Sequence, residues 1–233
     1  MSRLLHLRAG PRGDVRLLLA PDTARASRAL ASWLHPADRA AARAIGHRGR
    51  RRAFLVGRAL LRRLVADQDR VPASRTRLRL QRARRPLHRA AHRRRLALSL
   101  THTAGWILAA AAPGASAGRR LGVDLETRGR ALTPGVRRRL AGLGATAASP
   151  TLRDWCLAEA ALKADGRGIA ALSKLSFEAG SRALLVRSAL RDRHPGSLVA
   201  MPLRLPRRHL VGAIAVAPRL GPIGRERRQD PRR

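Results

Sequence analysis

The chain has 233 residues, 50 of them Lys or Arg against 14 Asp or Glu, for a formal net charge of +36. This length makes one large domain or two small halves and buries a core without disulfide staples. The 45% hydrophobic content argues against disorder throughout, and with no Tyr and only 2% aromatics the core must be built from Leu, Ala, Val and Ile. A single cysteine, Cys156, excludes an internal disulfide and a cysteine-rich metal cluster, which fits a reducing compartment.

Only two of the basic residues are lysines, Lys163 and Lys174. The excess of Ala, Arg, Gly and Pro is what GC-rich codons produce, so part of the charge reflects codon usage rather than binding. It is still physically present and attracts polyanions: nucleic acid, anionic lipid, phosphorylated cofactors or an acidic protein. The longest apolar stretch, 106–112, is shorter than the ~20 residues that span a bilayer. His6 and Arg8 interrupt the amino-terminal apolar run before a signal-peptide core forms. The expectation is a soluble, cytoplasmic protein.

In chain order, residues 37–66 lack Pro, and 53–66 (AFLVGRALLRRLVA) put Phe54, Leu55, Leu61, Leu64 and Val65 at helical spacing, with Arg58, Arg62 and Arg63 beside the apolar stripe. Residues 77–82 (RLRLQR) alternate like a strand, and 83–95 (ARRPLHRAAHRRR) read as a basic loop. A strand at 96–100, a turn at 101–105 (THTAG), an Ala-rich strand at 106–112, a loop at 113–120 and a strand at 121–126 follow. Residues 134–144 look helical. Ser149 as N-cap, Pro150 at the first helical position and Gly166 as the stop predict a helix over 150–164. Strand-like segments at 182–190, 198–205 and 209–217 precede a polar tail, 221–233, that reads as disordered. In both halves helices come first and strands afterwards, which predicts a duplicated α+β architecture.

Chemistry concentrates in two segments. In 121–126 (LGVDLE) apolar residues alternate strictly, so Leu121, Val123 and Leu125 face the core, while Asp124 and Glu126 project together from the other face, ~7 Å apart along the strand. Two carboxylates on a rigid strand suit Mg²⁺, which commonly takes one or two protein carboxylates plus water and substrate phosphate; the alternative is a solvated face whose acids neutralise nearby arginines. On the following helix Leu152, Trp155, Glu159 and Lys163 form one stripe. Glu159 and Lys163 by themselves make an ordinary i,i+4 surface pair. A third segment, 98–103 (LSLTHT), offers Thr101, His102 and Thr103 as donors to phosphate, against the alternative of an ordinary surface turn. Arg84 and Arg85 could add planar bidentate donors, though among so many arginines any one can be a solvated cation.

Together, FLVGRALLRRL (54–64), RRPLH (84–88), LSLTHTAGW (98–106), LGVDLE (121–126), WCLAEAALKADGRGI (155–169) and LSF (175–177) resemble the 4′-phosphopantetheinyl transferases of the surfactin-synthetase-activating type, a holo-acyl-carrier-protein synthase superfamily. The resemblance spans roughly 40–180, and its most specific part is the Asp-x-Glu strand followed by Trp-x3-Glu-x3-Lys, with Glu159 33 residues after Glu126. It implies an α+β fold of two pseudo-symmetric α+β halves, 1–115 and 116–220, with the coenzyme A site in the cleft between them. It further implies an enzyme that moves the phosphopantetheinyl arm of coenzyme A to a serine of an acidic apo acyl or peptidyl carrier protein, releasing adenosine 3′,5′-bisphosphate. On this resemblance Asp124, Glu126 and Glu159 hold Mg²⁺, and Glu159 is the general base. Lys163 steadies the diphosphate, Thr101, His102 and Arg85 contact coenzyme A phosphates, and Arg52 falls near another such contact. No specific nucleic acid and no membrane are implied as partners, and members commonly act as monomers. The chain departs from the family at Ala158, where a lysine is usual. Two alternatives stay open: a basic nucleic-acid-binding protein, against which stands the scarcity of aromatics for stacking, and a catalytically impaired paralogue that binds coenzyme A or a carrier protein.

Overall fold

The computed structural model describes residues 4–9, 14–76, 78–80, 86–89, 95–114, 120–143, 149–166, 169–179, 184–188 and 198–216. The chain is a mixed α+β protein of two antiparallel sheets and flanking helices. Strands β1 (Leu5–Ala9) and β2 (Val15–Pro21) lead into helices α1 (Ala24–Ala29), α2 (Pro36–Arg43) and α3 (Arg48–Asp69). Strands β3 (Arg79–Leu80), β4 (Pro86–Arg89), β5 (Arg95–Thr103) and β6 (Trp106–Gly114) then complete the first sheet, in the order β1-β2-β6-β5-β4-β3. Strand β7 (Leu121–Thr127) is followed by helices α4 (Pro134–Ala141) and α5 (Leu152–Asp165). The second sheet closes with β8 (Leu175–Ala179), β9 (Leu184–Ser188), β10 (Leu198–Leu203) and β11 (Leu210–Val216), in the order β7-β11-β10-β9-β8.

Side-chain alternation arranges these elements in layers. Val15, Leu17 and Leu19 of β2 and Leu108, Ala110 and Ala112 of β6 meet Leu121, Val123 and Leu125 of β7 and Ile214 and Val216 of β11, so the sheets bury one face against each other. The alternate residues, Leu18, Ala20, Ile107, Ala109 and Ala111, meet Val56, Leu60, Leu61 and Leu64 of α3. Ala213 and Ala215 of β11 likewise meet the buried face of α5. Among the described residues no helix is long and apolar enough to cross a membrane.

Several sequence expectations change. The region 37–66 is two helices, because the chain leaves α2 at Ala44 and re-enters at α3, where the His47 side chain accepts the Arg50 amide. Strands β1 and β2 precede the first helices, so the predicted order of helices before strands is wrong. Leu17, Leu18 and Leu19 are all buried, and a strand covered on both faces shows no alternation. The segment 83–95 is not simply a loop: 86–89 form β4, paired with β5, and β5 starts at Arg95. Nor is 101–105 all turn. The β5–β6 ladder continues to Thr103↔Trp106, leaving Ala104 and Gly105 to reverse the chain, with Gly105 at φ 78. Helix α5 is capped by Thr151 rather than Ser149: the Thr151 hydroxyl accepts the Asp154 amide and the Asp154 carboxylate accepts the Thr151 amide. The predicted stop holds, with Gly166 in the left-handed region at φ 93. Arg85 and the tail 221–233 lie outside the described residues.

Two arginines of α3 are not surface cations. Arg58 and Arg62 are buried and both donate through Nε to the carboxylate of Asp38, which is itself buried in α2. Arg62 continues to the Thr76 carbonyl, and Arg58 Nη2 donates to the Leu78 carbonyl at 3.3 Å. Burial opposes ionisation of Asp38, but the hydrogen bonds from Arg62 and Arg58 outweigh it and hold its carboxyl below the usual range. Its contribution to stability is therefore complete above the ordinary carboxylate pKa and is lost as pH falls through the depressed folded value. Asp38→Ala strands two buried guanidinium groups and is expected to cost about 3–5 kcal/mol in urea unfolding at neutral pH. A loss below 1 kcal/mol would show that these arginines find other partners.

Candidate functional site

The site is built where α5 crosses β7. On β7 the residues that alternate with Leu121, Val123 and Leu125 are Gly122, Asp124 and Glu126, and they lie between α5 and strand β5 of the first sheet. A Cβ placed on Gly122 would lie 1.9 Å from the Ala160 carbonyl oxygen and 2.5 Å from the Ala164 amide nitrogen. Only glycine lets the backbones approach this closely, and the alanines Ala160, Ala161 and Ala164 keep the helix surface correspondingly low. The approach brings Glu159 and Lys163 onto the carboxylates of β7.

Asp124 and Glu126 are 4% and 7% exposed, so their face is not solvated, although Glu126 does neutralise a nearby arginine, Arg130. Lys163 Nζ donates to Asp124 Oδ1 at 2.6 Å and to Thr101 Oγ1 at 3.1 Å, and stands 3.9 Å from Glu159 Oε2. The lysine therefore serves Asp124 first and its own i,i+4 neighbour second. Arg130, four residues beyond Glu126, ion-pairs with it. Asp124 Oδ2 is buried with no hydrogen-bond partner among the described residues; the nearby Cys156 thiol points to the Val211 carbonyl, 3.8 Å away.

The first sheet contributes a row of hydroxyls. Ser99, Thr101 and Thr103 alternate along one face of β5. Ser99 Oγ accepts the Val123 amide at 3.1 Å, Thr101 Oγ1 donates to Asp124 Oδ1 at 3.1 Å, and Thr103 Oγ1 donates to Glu126 Oε2 at 3.2 Å. Three hydroxyls thus hold β7 by a backbone amide and by both of its carboxylates.

Burial raises the Glu126 carboxyl above the usual range, with Arg130 working against the rise and Asp124 adding to it. Burial likewise raises Glu159, opposed by Lys163 and reinforced by the negative charges of Asp124 and Glu126. Burial also raises the Cys156 thiol, with the same two carboxylates adding to the effect, so it stays protonated and is no nucleophile.

Of the residues singled out from sequence, Asp124, Glu126, Glu159, Lys163 and Thr101 come together. Thr101 is buried and engaged with Asp124 and Lys163 rather than open to a phosphate. His102 points to the opposite side of β5 from Thr101 and Thr103 and is exposed. Arg52 lies on α3 with its Nε on Asp22 Oδ1 at 2.7 Å. Ala158 is fully buried in the core beneath α5, so position 158 presents nothing to the site. No group of three or more His, Cys, Asp or Glu among the described residues is arranged to hold a metal ion. The sequence reading missed Ser99 and Thr103 as supports for the carboxylates, although the alternation Ser-x-Thr-x-Thr announced three hydroxyls on one strand face. It also missed Arg130, whose link to Glu126 depends on the turn after β7.

Compared with known proteins, the chain matches no family model and no curated protein sequence. The functional argument therefore rests on the residues and their geometry.

Two substitutions test this construction. Gly122→Ala is expected to separate α5 from β7 and lower the melting temperature sharply, whereas Gly57→Ala meets only the flexible Leu100 side chain and costs much less; equal effects would show that β7 does not need the close approach. Because folding raises the Glu159 pKa, its charged form is penalised in the folded state. The associated stability is full below the ordinary carboxylate pKa and is lost as pH rises through the folded value. Glu159→Gln is accordingly expected to raise the melting temperature at neutral pH, by about 2–4 °C for each ~1 kcal/mol of penalty removed. Calorimetry showing a fall instead would place the dominant interaction of Glu159 with Lys163.

Proposed function

We propose that this chain transfers the 4′-phosphopantetheinyl group of coenzyme A to a serine hydroxyl of an acyl or peptidyl carrier protein. The observation that carries the reading is the convergence of Asp124, Glu126, Glu159 and Lys163 at the α5–β7 crossing, the residues that the family resemblance singles out. Support for two related halves comes from the strand orders. In β2-β6-β5-β4-β3 and β7-β11-β10-β9-β8 the first strand of each unit pairs with its last, then come the others in reverse, and the long helices α3 and α5 follow the first strands. The hydroxyls of β5 and the carboxylates of β7 meet where these two units join, which is where a coenzyme A cleft between halves would open.

The donor set fits a hard divalent cation. Asp124 and Glu126 lie side by side on one strand face, Asp124 Oδ2 is buried without a partner, and Mg²⁺ commonly needs only one or two protein carboxylates. Asp124 and Glu126 would hold it, Glu159 not being arranged with them as a third ligand, and when bound it would supply positive charge to the diphosphate oxygens.

The chain's own groups account for the rest of the chemistry. Serine Oγ forms a bond to the phosphorus on the pantetheine side of the diphosphate, and the bond from that phosphorus to the bridging oxygen breaks. The electron pair leaves with adenosine 3′,5′-bisphosphate, and the serine proton passes to the Glu159 carboxylate. A base must hold and release that proton near neutrality, and the burial and neighbouring charges that raise Glu159 move it in that direction. Lys163 places an ammonium beside the same carboxylates, where it neutralises charge building on the departing phosphate. Thr101 and Thr103 keep Asp124 and Glu126 from rotating.

Purified protein with coenzyme A, Mg²⁺ and a panel of apo carrier proteins is expected to add one phosphopantetheinyl group, read by intact mass. Removal of the general base in Glu159→Ala is expected to reduce the rate about 10²- to 10⁴-fold without unfolding the chain. The rate should rise with pH as Glu159 loses its proton, since the base works deprotonated. No mass gain with any carrier would sink the reading, and calorimetric coenzyme A binding without transfer would select the impaired-paralogue alternative. Unchanged turnover in Glu159→Ala would remove Glu159 from its role.

A further inference from the structure

The carboxylates of the site are held by two cations of the chain itself. Lys163 Nζ lies 2.6 Å from Asp124 Oδ1, and Arg130 ion-pairs with Glu126 Oε1. The two cations are anchored differently. Arg130 leaves a turn in which its amide donates to the Thr127 carbonyl, and its side chain is 53% exposed, so it can swing into water at little cost. Lys163 projects from the rigid helix α5 and has Thr101 and Glu159 within reach besides Asp124. Among the described residues Asp124 Oδ2 is buried with no donor in hydrogen-bond geometry, and besides Lys163 and Thr101 the only donor that interacts with this carboxylate is the weak Cys156 thiol, so it is left short of strong donors.

We propose that Arg130 and Lys163 are built-in competitors of a divalent cation: the ion gains Asp124 and Glu126 only by displacing them, so Arg130 weakens metal affinity and Lys163 is released as the metal binds. The inference rests on the reading of these carboxylates as a metal site. Charge arithmetic gives the exchange a consequence. Three carboxylates against two cations leave one net negative charge, which repels a polyphosphate; with Arg130 swung into water, a divalent ion and the freed ammonium, still tethered to α5, cancel that charge, and the ammonium then faces an anionic substrate. Order of binding is thereby built into the site, with the metal first or together with the polyanion.

The chain offers a direct test because Lys163 and Lys174 are its only lysines. Reductive ¹³C-methylation keeps their charge, and Lys174→Arg together with Lys163→Arg assigns the two lysine NMR signals apart from that of the α-amino group, which is methylated as well. Titration with Mg²⁺ alone is expected to move the Lys163 signal saturably toward that of a solvated ammonium while the Lys174 signal holds still. Arg130→Gln is expected to tighten the Mg²⁺ midpoint about two- to fivefold, the worth of a half-exposed ion pair. Asp124→Asn should abolish the response. A Lys163 signal that ignores Mg²⁺, or an Arg130→Gln midpoint that is unchanged or weaker, overturns the inference. The transfer reading is judged separately: a chain that exchanges its cations for Mg²⁺ yet modifies no carrier protein keeps this inference and loses that one, and transfer with Lys163 unmoved does the reverse.

Discussion

Everything at the candidate site depends on how closely α5 lies on β7. The absent side chain of Gly122 allows the Ala160 carbonyl and the Ala164 amide to sit where a Cβ would be. With any larger residue the helix would stand away from the strand. Lys163 would then no longer reach Asp124, and the carboxylates would meet water instead of each other. The raised carboxyls of Glu126 and Glu159 follow from the same contact, since burial is the first cause of each shift and mutual repulsion a further one. A packing decision at one glycine thus becomes an electrostatic property of the site.

The two halves of the molecule use buried charge in opposite ways. In the first half Asp38 accepts from both Arg58 and Arg62, and burial is outweighed by hydrogen bonds, so the carboxyl is held low and the cluster ties α2 to α3. In the second half the acids outnumber the cations beside them, Asp124 Oδ2 has no partner, and two carboxyls are held high. The first arrangement has two cations for one acid and is structural, although Arg58 Nη1 is buried without a hydrogen-bond partner among the described residues. The second is short of positive charge in a protein whose net charge is +36.

Legibility in the sequence tracked how local each signal was. Strict alternation in 121–126 placed Asp124 and Glu126 on one face, and the stripe on α5 joined Glu159 to Lys163, because both depend only on the geometry of one element. The strand β2 was illegible because it is buried on both faces, and β4 because its polar sequence forms a strand only by pairing with β5. Arg58 and Arg62 could be placed only beside the apolar stripe, because their counter-charge, Asp38, comes from another helix. His102 had seemed as informative as Thr101, and Arg52 fell only near a further contact; His102 faces solvent and Arg52 answers to Asp22, whereas Thr101 joins the carboxylates.

Periodicity, capping and composition were enough to establish an α+β chain with an aliphatic core, the α5 helix with its glycine stop, and a short list of scarce acids and one lysine, since those signals are carried by neighbours along the chain. Which acids would be buried, which hydroxyls would support them and which cations would hold them was decided by the approach of β5, β7 and α5 in space. Register and distance between remote elements are properties of their pairing, and no single element encodes them.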